Sequence, residues 1–171
     1  MSHALIIVDM LADFARPGAP LFVPGSPDIV PAIQRELAAA REAGDAVIYV
    51  CDAHDPQDKE FERFPPHAVA GSPGAEIIQE LAPLPGELVV TKRRYSPFFD
   101  TELGRILADE GITRATVVGV CTHICVMETV CGLANRDLEV RVPAGAVADF
   151  DPEQSRAALA RMHNLFGAEI C

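Results

Sequence analysis

Six short apolar runs constrain this chain more than any other feature: Ala4–Val8, Ala46–Cys51, Leu88–Thr91, Ala115–Val120, Leu138–Val142 and a last one near Ala168–Ile170. As a set they are rich in β-branched residues and more nearly continuous than alternating. Alternation of apolar and polar residues marks a strand with one face in water. Continuous runs mark strands buried on both faces, as in a parallel sheet covered by helices. Helical patterns lie between the runs. Pro31–Glu42 places Ile33 and Leu37 four apart, with Gly44 as a stop. Ala75–Leu81 reads as a short helix, and Thr101–Glu110 puts Leu103, Ile106 and Leu107 on one face. Thr122–Asn135 reads as a helix with Thr122 as N-cap. The last helix opens on Asp151, Pro152 and Gln154, a capping-box pattern, and closes at Gly167. Strand and helix alternate throughout, so the expected fold is a Rossmann-like, three-layer α/β/α doubly wound sheet of about six mainly parallel strands.

Length and composition narrow the class. A chain of 171 residues with 49% apolar content favours one globular domain spanning residues 1–171. The formal net charge of −11 repels phosphate backbones, so nucleic acid is not an expected partner. The run Ala4–Val8 ends in Asp9, too short for a signal-peptide core, and no run approaches the roughly 20 residues of a membrane helix. The five cysteines are odd in number and lack the spacing of a disulfide framework, which suits a reducing compartment. A soluble, cytoplasmic protein without a membrane partner is expected.

Ligands of an open parallel sheet bind beyond the carboxyl ends of its strands. Asp9 follows the first run, Asp52 and His54 the second, Lys92 the third, and Cys121-Thr122-His123-Ile124-Cys125 the fourth. With Thr122 as N-cap, Cys125 takes the third helical position, near unpaired N–H groups and the positive end of the helix dipole. That placement, with Lys92 nearby, is expected to lower the thiol pKa. Asp9 can take the thiol proton and return it to a leaving amine. The first amides of the helix and its entry turn can hold an oxyanion. The bland alternatives are that Asp9 caps a helix, Lys92 is a surface charge and Cys125 fills the core. His123 lies two residues from Cys125, and residues two apart on a helix do not share a side, so it is not the expected base.

A second grouping is Asp52-Ala53-His54 with Phe64-Pro65-Pro66-His67. In extended geometry Asp52 and His54 face one way. Two imidazoles and a carboxylate suit Zn²⁺, Fe²⁺ or Mn²⁺ with positions left open. Glu60 and Glu62 are further oxygen donors on that loop; the alternative for all of them is a solvated polar loop. The segments 12–30 and 52–74 exceed the usual connection length, and long loops in compact domains tend to carry function.

These residues together resemble nicotinamidases, within the isochorismatase-like cysteine hydrolases. The resemblance rests on Leu5-Ile6-Ile7-Val8-Asp9 with Asp13-Phe14, Asp52-Ala53-His54, Phe64-Pro65-Pro66-His67, Lys92-Arg93-Arg94-Tyr95-Ser96 with Phe98, and Gly119-Val120-Cys121-Thr122-His123-Ile124-Cys125-Val126. It implies Asp9 as general base, Lys92 as the charge that stabilises thiolate and intermediate, and Cys125 as the nucleophile of a thioester route. It implies a cis Val120–Cys121 peptide, with the N–H groups of Cys121 and Cys125 forming the oxyanion hole. It implies a divalent metal, zinc first and iron or manganese otherwise, on Asp52, His54 and His67 with Glu60 as a fourth ligand. Phe14, Phe64 and Tyr95 would wall a pyridine ring, and the chain would form a dimer or larger homo-oligomer. The implied reaction converts nicotinamide, a small-molecule amide, to nicotinate and ammonia. The alternative is a carbamoyl or ureido amidase, or an isochorismatase-like enzyme.

Overall fold

The computed structural model describes residues 2–171. Seven strands form one parallel sheet: β1 (Ser2–Val8), β2 (Ala46–Asp52), β3 (Leu88–Lys92), β4 (Ile112–Val120), β5 (Glu139–Val142), β6 (Val147–Ala148) and β7 (Glu169–Ile170). Their order is β3-β2-β1-β4-β5-β7, with β6 beside the end of β4. The six expected strands are all present, and β6 is added to them. Two residues of pairing are too short to register as an apolar run.

The continuous runs are explained by burial on both faces. Leu5, Ile7, Val47, Tyr49 and Val118 pack towards α1 (Ala12–Ala15) and α2 (Ser26–Ala43). Ala4, Ile6, Val8, Ile48 and Val117 pack the other way, towards α3 (Leu103–Asp109), α4 (Met127–Ala134) and α5 (Pro152–Phe166). Each Val, Leu or Ile among them taken fully from water contributes about 1.5–3 kcal/mol. No helix among the described residues is long and apolar enough to cross a membrane.

Three local expectations are corrected. α2 begins at Ser26 rather than Pro31. Pro27 fits the first turn, where no N–H partner is needed, and Pro31 removes only one bond, to the carbonyl of Pro27. The expected helix Ala75–Leu81 is instead two 3₁₀ turns, Pro73–Ala75 and Gln79–Leu81. The chain between them is drawn straight by pairing: Ala12 N–H donates to Glu76 O at 2.9 Å and Ile78 N–H to Met10 O at 3.0 Å. The helix expected from a Thr122 cap starts one residue earlier, on Cys121. It opens with a π-helical turn, Thr122–Val126, before α4. The Thr122 hydroxyl is buried and accepts from Ser155 Oγ at 3.0 Å, so it caps nothing. The last helix keeps its expected ends: Asp151 accepts from Glu153 N–H at 2.8 Å, and Gly167 closes it with a left-handed φ of 70°.

The strand order reverses between β1 and β4. Gly119 makes their close approach workable: its φ is 114°, and a Cβ there would stand 2.1 Å from Val8 O. Only glycine has room and conformational freedom for that contact. It brings Asp9, just past β1, up to the turn that leaves β4.

Candidate active site

At this crossing four strand ends converge. Asp9 has a φ of 50°, in the region L-residues rarely adopt, while its N–H donates to Val50 O at 2.9 Å and its Oδ1 accepts from Asp52 N–H at 2.8 Å. Lys92 Nζ lies 2.8 Å from Asp9 Oδ2, 2.5 Å from Asp52 Oδ1 and 3.4 Å from Cys125 Sγ. All four side chains are buried. The sequence-derived grouping of Asp9, Lys92 and Cys125 is thus brought within contact distance, with Asp52 as an unexpected fourth member.

The charges sort themselves by distance. Burial alone would lower the Lys92 pKa, but Asp9, Cys125 and Asp52 around it hold it well above its ordinary value. Burial would raise Asp52, but its pKa is lowered, chiefly by the Lys92 ammonium. Burial, with Asp52 next, pushes Asp9 up to about 6 against the pull of Lys92. The Cys125 thiol is pushed well above its ordinary value by burial; Lys92 opposes, and Asp9 and Asp52 add to the rise. This reverses the expectation of a lowered thiol pKa. The cation sits closer to two carboxylates than to the sulfur, so its charge is largely spent on them. What the geometry offers is a neutral thiol beside a carboxylate of raised basicity, suited to proton transfer during attack.

The Val120–Cys121 peptide is cis. The bond from Val126 N–H to Cys121 O, 3.1 Å, spans five residues and widens the turn that carries Cys125. Such single π turns recur at functional sites. Among the described residues no protein acceptor takes the Cys121 N–H. His123 is turned away from the sulfur: its N–H and its Nδ1 reach Asp149 Oδ2 at 2.7 and 2.6 Å.

The second grouping adjoins the first through Asp52. Its Oδ2 lies 3.5 Å from His54 Nε2, while Oδ1 holds Lys92. His54 bridges Val69 in parallel: its N–H donates to Ala68 O and its carbonyl accepts from Ala70 N–H, each at 2.9 Å. That pairing sets His67 beside His54, ring centroids 4.9 Å apart. His67 Nε2 is 3.8 Å from Glu60 Oε1. Asp52, His54 and His67 can each offer a ligand atom, all within 4.8 Å of one another.

The donor set fits a divalent cation on an independent observation. His54 Nε2 is fully buried with no hydrogen-bond partner. Its Nδ1 faces Asp58 Oδ2 at 3.3 Å, and His67 Nδ1 faces Pro65 O at 2.8 Å. Carboxylate and carbonyl only accept, so both protons sit on Nδ1 and both Nε2 lone pairs point inward. An inward, orphaned lone pair beside a carboxylate suits a metal ion. Glu60 is buried, and its pKa is raised chiefly by that burial. Glu62 lies on the same turn without joining the grouping.

Phe14, Phe64 and Tyr95 line the cavity over Cys125, together with Leu21, Ile124 and Phe150, which the sequence did not single out. Phe61 was also missed; its ring lies 5.5 Å from both His54 and His67. The cavity is about 30 Å³, against the roughly 300–1,000 Å³ typical of ligand pockets. Larger clefts of about 550 and 850 Å³ open beyond β3 and at the opposite edge of the sheet. The small cavity nonetheless holds the reacting set: Asp9, Asp52, Glu60, His67 and Cys125 line it, with Lys92 3.4 Å from the Cys125 sulfur.

Fold and strand-end residues together are those of the hydrolases that place a cysteine, a lysine and an aspartate at the ends of a doubly wound parallel sheet. Residues 3–171 match the isochorismatase domain. The chain belongs to the isochorismatase-like cysteine hydrolases. The crystal structure of nicotinamidase/pyrazinamidase from Bacillus subtilis is similar at a TM-score of 0.94 and 32% identity, covering 100% of each chain. Pyrazinamidase of Pyrococcus horikoshii, solved in complex with zinc, gives 0.93 and 31%, covering 100% of this chain and 99% of that one. A probable inactive nicotinamidase of Arabidopsis thaliana is 33% identical over 95% of this chain and 88% of its own.

Proposed function

We propose that this protein is a metal-dependent amidohydrolase that converts nicotinamide to nicotinate and ammonia through a Cys125 thioester. One observation carries the reading: Asp52 joins a cysteine–lysine–aspartate centre to a histidine-rich cation site, with one oxygen turned to each. A thiol hydrolase alone needs only the first half. The second half gives a use to the inward lone pairs of His54 and His67, and zinc suits those donors.

Asp9 takes the proton from Cys125 Sγ as the sulfur attacks the carboxamide carbon. The oxyanion that forms is met by the N–H groups of Cys121 and Cys125, and Lys92 balances the charge. Asp9 then gives its proton to the departing nitrogen, and ammonia leaves. A water molecule, deprotonated by Asp9, attacks the thioester; the acid departs and the thiol is restored. A cation held by Asp52, His54 and His67, with Glu60 as a fourth donor, would supply a Lewis-acidic contact for the ring nitrogen. Phe14, Phe64 and Tyr95 would sandwich the ring once the walls of the small cavity part.

The test is ammonia release from nicotinamide by purified zinc-supplemented protein, with mass spectrometry for the acylated cysteine. Cys125→Ala should abolish both while still binding zinc. Turnover retained by that variant removes Cys125 as nucleophile. A second reading is favoured by the size of the cavity: a compact carbamoyl or ureido amide needs less room than a ring. Hydrolysis of such a compound with none of nicotinamide would replace the substrate and keep the thioester chemistry.

A further inference from the structure

Asp58 is not among the residues the reaction needs, yet it contacts both His54 and the turn that carries Glu60. Its side chain is almost wholly buried, although it begins an otherwise partly exposed turn. Oδ2 lies 3.3 Å from His54 Nδ1. Oδ1 accepts from Glu60 N–H at 2.9 Å and so caps the 3₁₀ turn Lys59–Glu62 that carries Glu60. Both oxygens accept from Arg94 Nη1, at 3.1 and 2.9 Å. Arg94 follows Lys92 by two residues at the end of β3. One carboxylate therefore fixes the ring angle of His54 and the start of the Glu60 turn, and is itself held by Arg94.

His54, Asp58 and Glu60 could also be read as a cation site of their own, since their ligand atoms lie within 4.8 Å of one another. The hydrogen bonds decide against it. Nδ1 of His54 carries the proton that Asp58 accepts, and the charge of Asp58 is met by Arg94. A donor already engaged by three N–H groups serves an outer shell better than a second ion.

We propose that Asp58, clamped by Arg94, is a positioning residue that holds His54 in the tautomer and orientation needed to bind a divalent cation. The inference rests on the cation site argued above. Partners of this outer kind set ligand basicity and ring orientation, and losing one weakens metal affinity by roughly 10–100-fold.

The experiment is zinc affinity by chelator competition on the metal-free protein and its variants, with two further readouts. These are the nitrogen-15 resonances of His54 and the alkylation rate of Cys125. Asp58→Ala should weaken zinc binding by roughly 10–100-fold and erase the protected His54 Nδ1–H signal, with Cys125 alkylation unchanged. Asp58→Asn keeps an acceptor oxygen and should recover most of the affinity. Arg94→Ala should fall between the two, and it carries the test if Asp58→Ala fails to fold. Parent-like affinity in Asp58→Ala, or in Arg94→Ala where that variant stands alone, overturns the proposal. A parent protein that binds no zinc overturns the cation site itself and this inference with it. Zinc binding undisturbed by either variant overturns the positioning role alone.

Discussion

Asp9 answers to three neighbours at once: a backbone amide, an ammonium and a thiol. Its raised pKa, caused first by burial and then by Asp52, has a direct kinetic consequence. The base must be a carboxylate, and it is protonated below its pKa. So kcat/KM should decline as pH falls through about 6, by about tenfold per unit well below it, well above the ordinary carboxylate range. A pH profile that stays flat down to the ordinary aspartate value would show that the reacting base does not carry the raised pKa of Asp9. At this scale the sequence was informative where position alone implies exposure to ligand. Asp9, Asp52, Lys92 and Cys125 each follow a buried strand, and the ends of parallel strands share an edge. It was silent where a side chain comes from a loop whose path depends on distant contacts. Phe61, Asp58 and Asp149 are ordinary letters in the sequence and acquire roles only once His54, His67 and His123 are placed.

Among the elements, the end of β4 is the least replaceable. Gly119→Ala adds a Cβ that meets the backbone of Val8 and imposes a φ unsuited to alanine. We expect a loss of roughly 2–4 kcal/mol in urea unfolding, or failure to fold. A loss within a few tenths of a kcal/mol would mean that β1 can yield there. The cap of α5 offers a milder comparison. Asp151→Ala removes the bond to Glu153 N–H and should cost about 1 kcal/mol, with the active centre untouched. The five longer strands and the ends of α5 were legible because burial on two faces and capping chemistry are written locally. The start of α2 was hidden by two prolines that its first turns tolerate. The π turn was hidden because Thr122 is a fair N-cap by composition, and only its burial against Ser155 diverts its hydroxyl. The depression of the thiol pKa was wrongly expected for a related reason. A helix terminus and a lysine argue for it, but the distances that award Lys92 to two carboxylates are not in the letters.

For the molecule as a whole, a cation bound only by the folded state adds to its stability. At a free zinc concentration about a hundred times the Kd, the gain is about 2.7 kcal/mol, which for a chain of this length raises Tm by roughly 5–10 °C. Thermal scans with and without zinc would show it, and His54→Ala should abolish the rise. An equal rise in that variant would place the bound zinc elsewhere. The doubly wound topology would make such linkage global: the candidate cation site lies at and after the end of β2, the cysteine turn follows β4, and β1 lies between them. The divided carboxylate of Asp52 has one more consequence. A lineage could discard the cation by altering His54 or His67 and still need an acid at position 52 to steady Lys92. Aspartate at that position is therefore a poor diagnostic of metal use, and the two histidines are the better one.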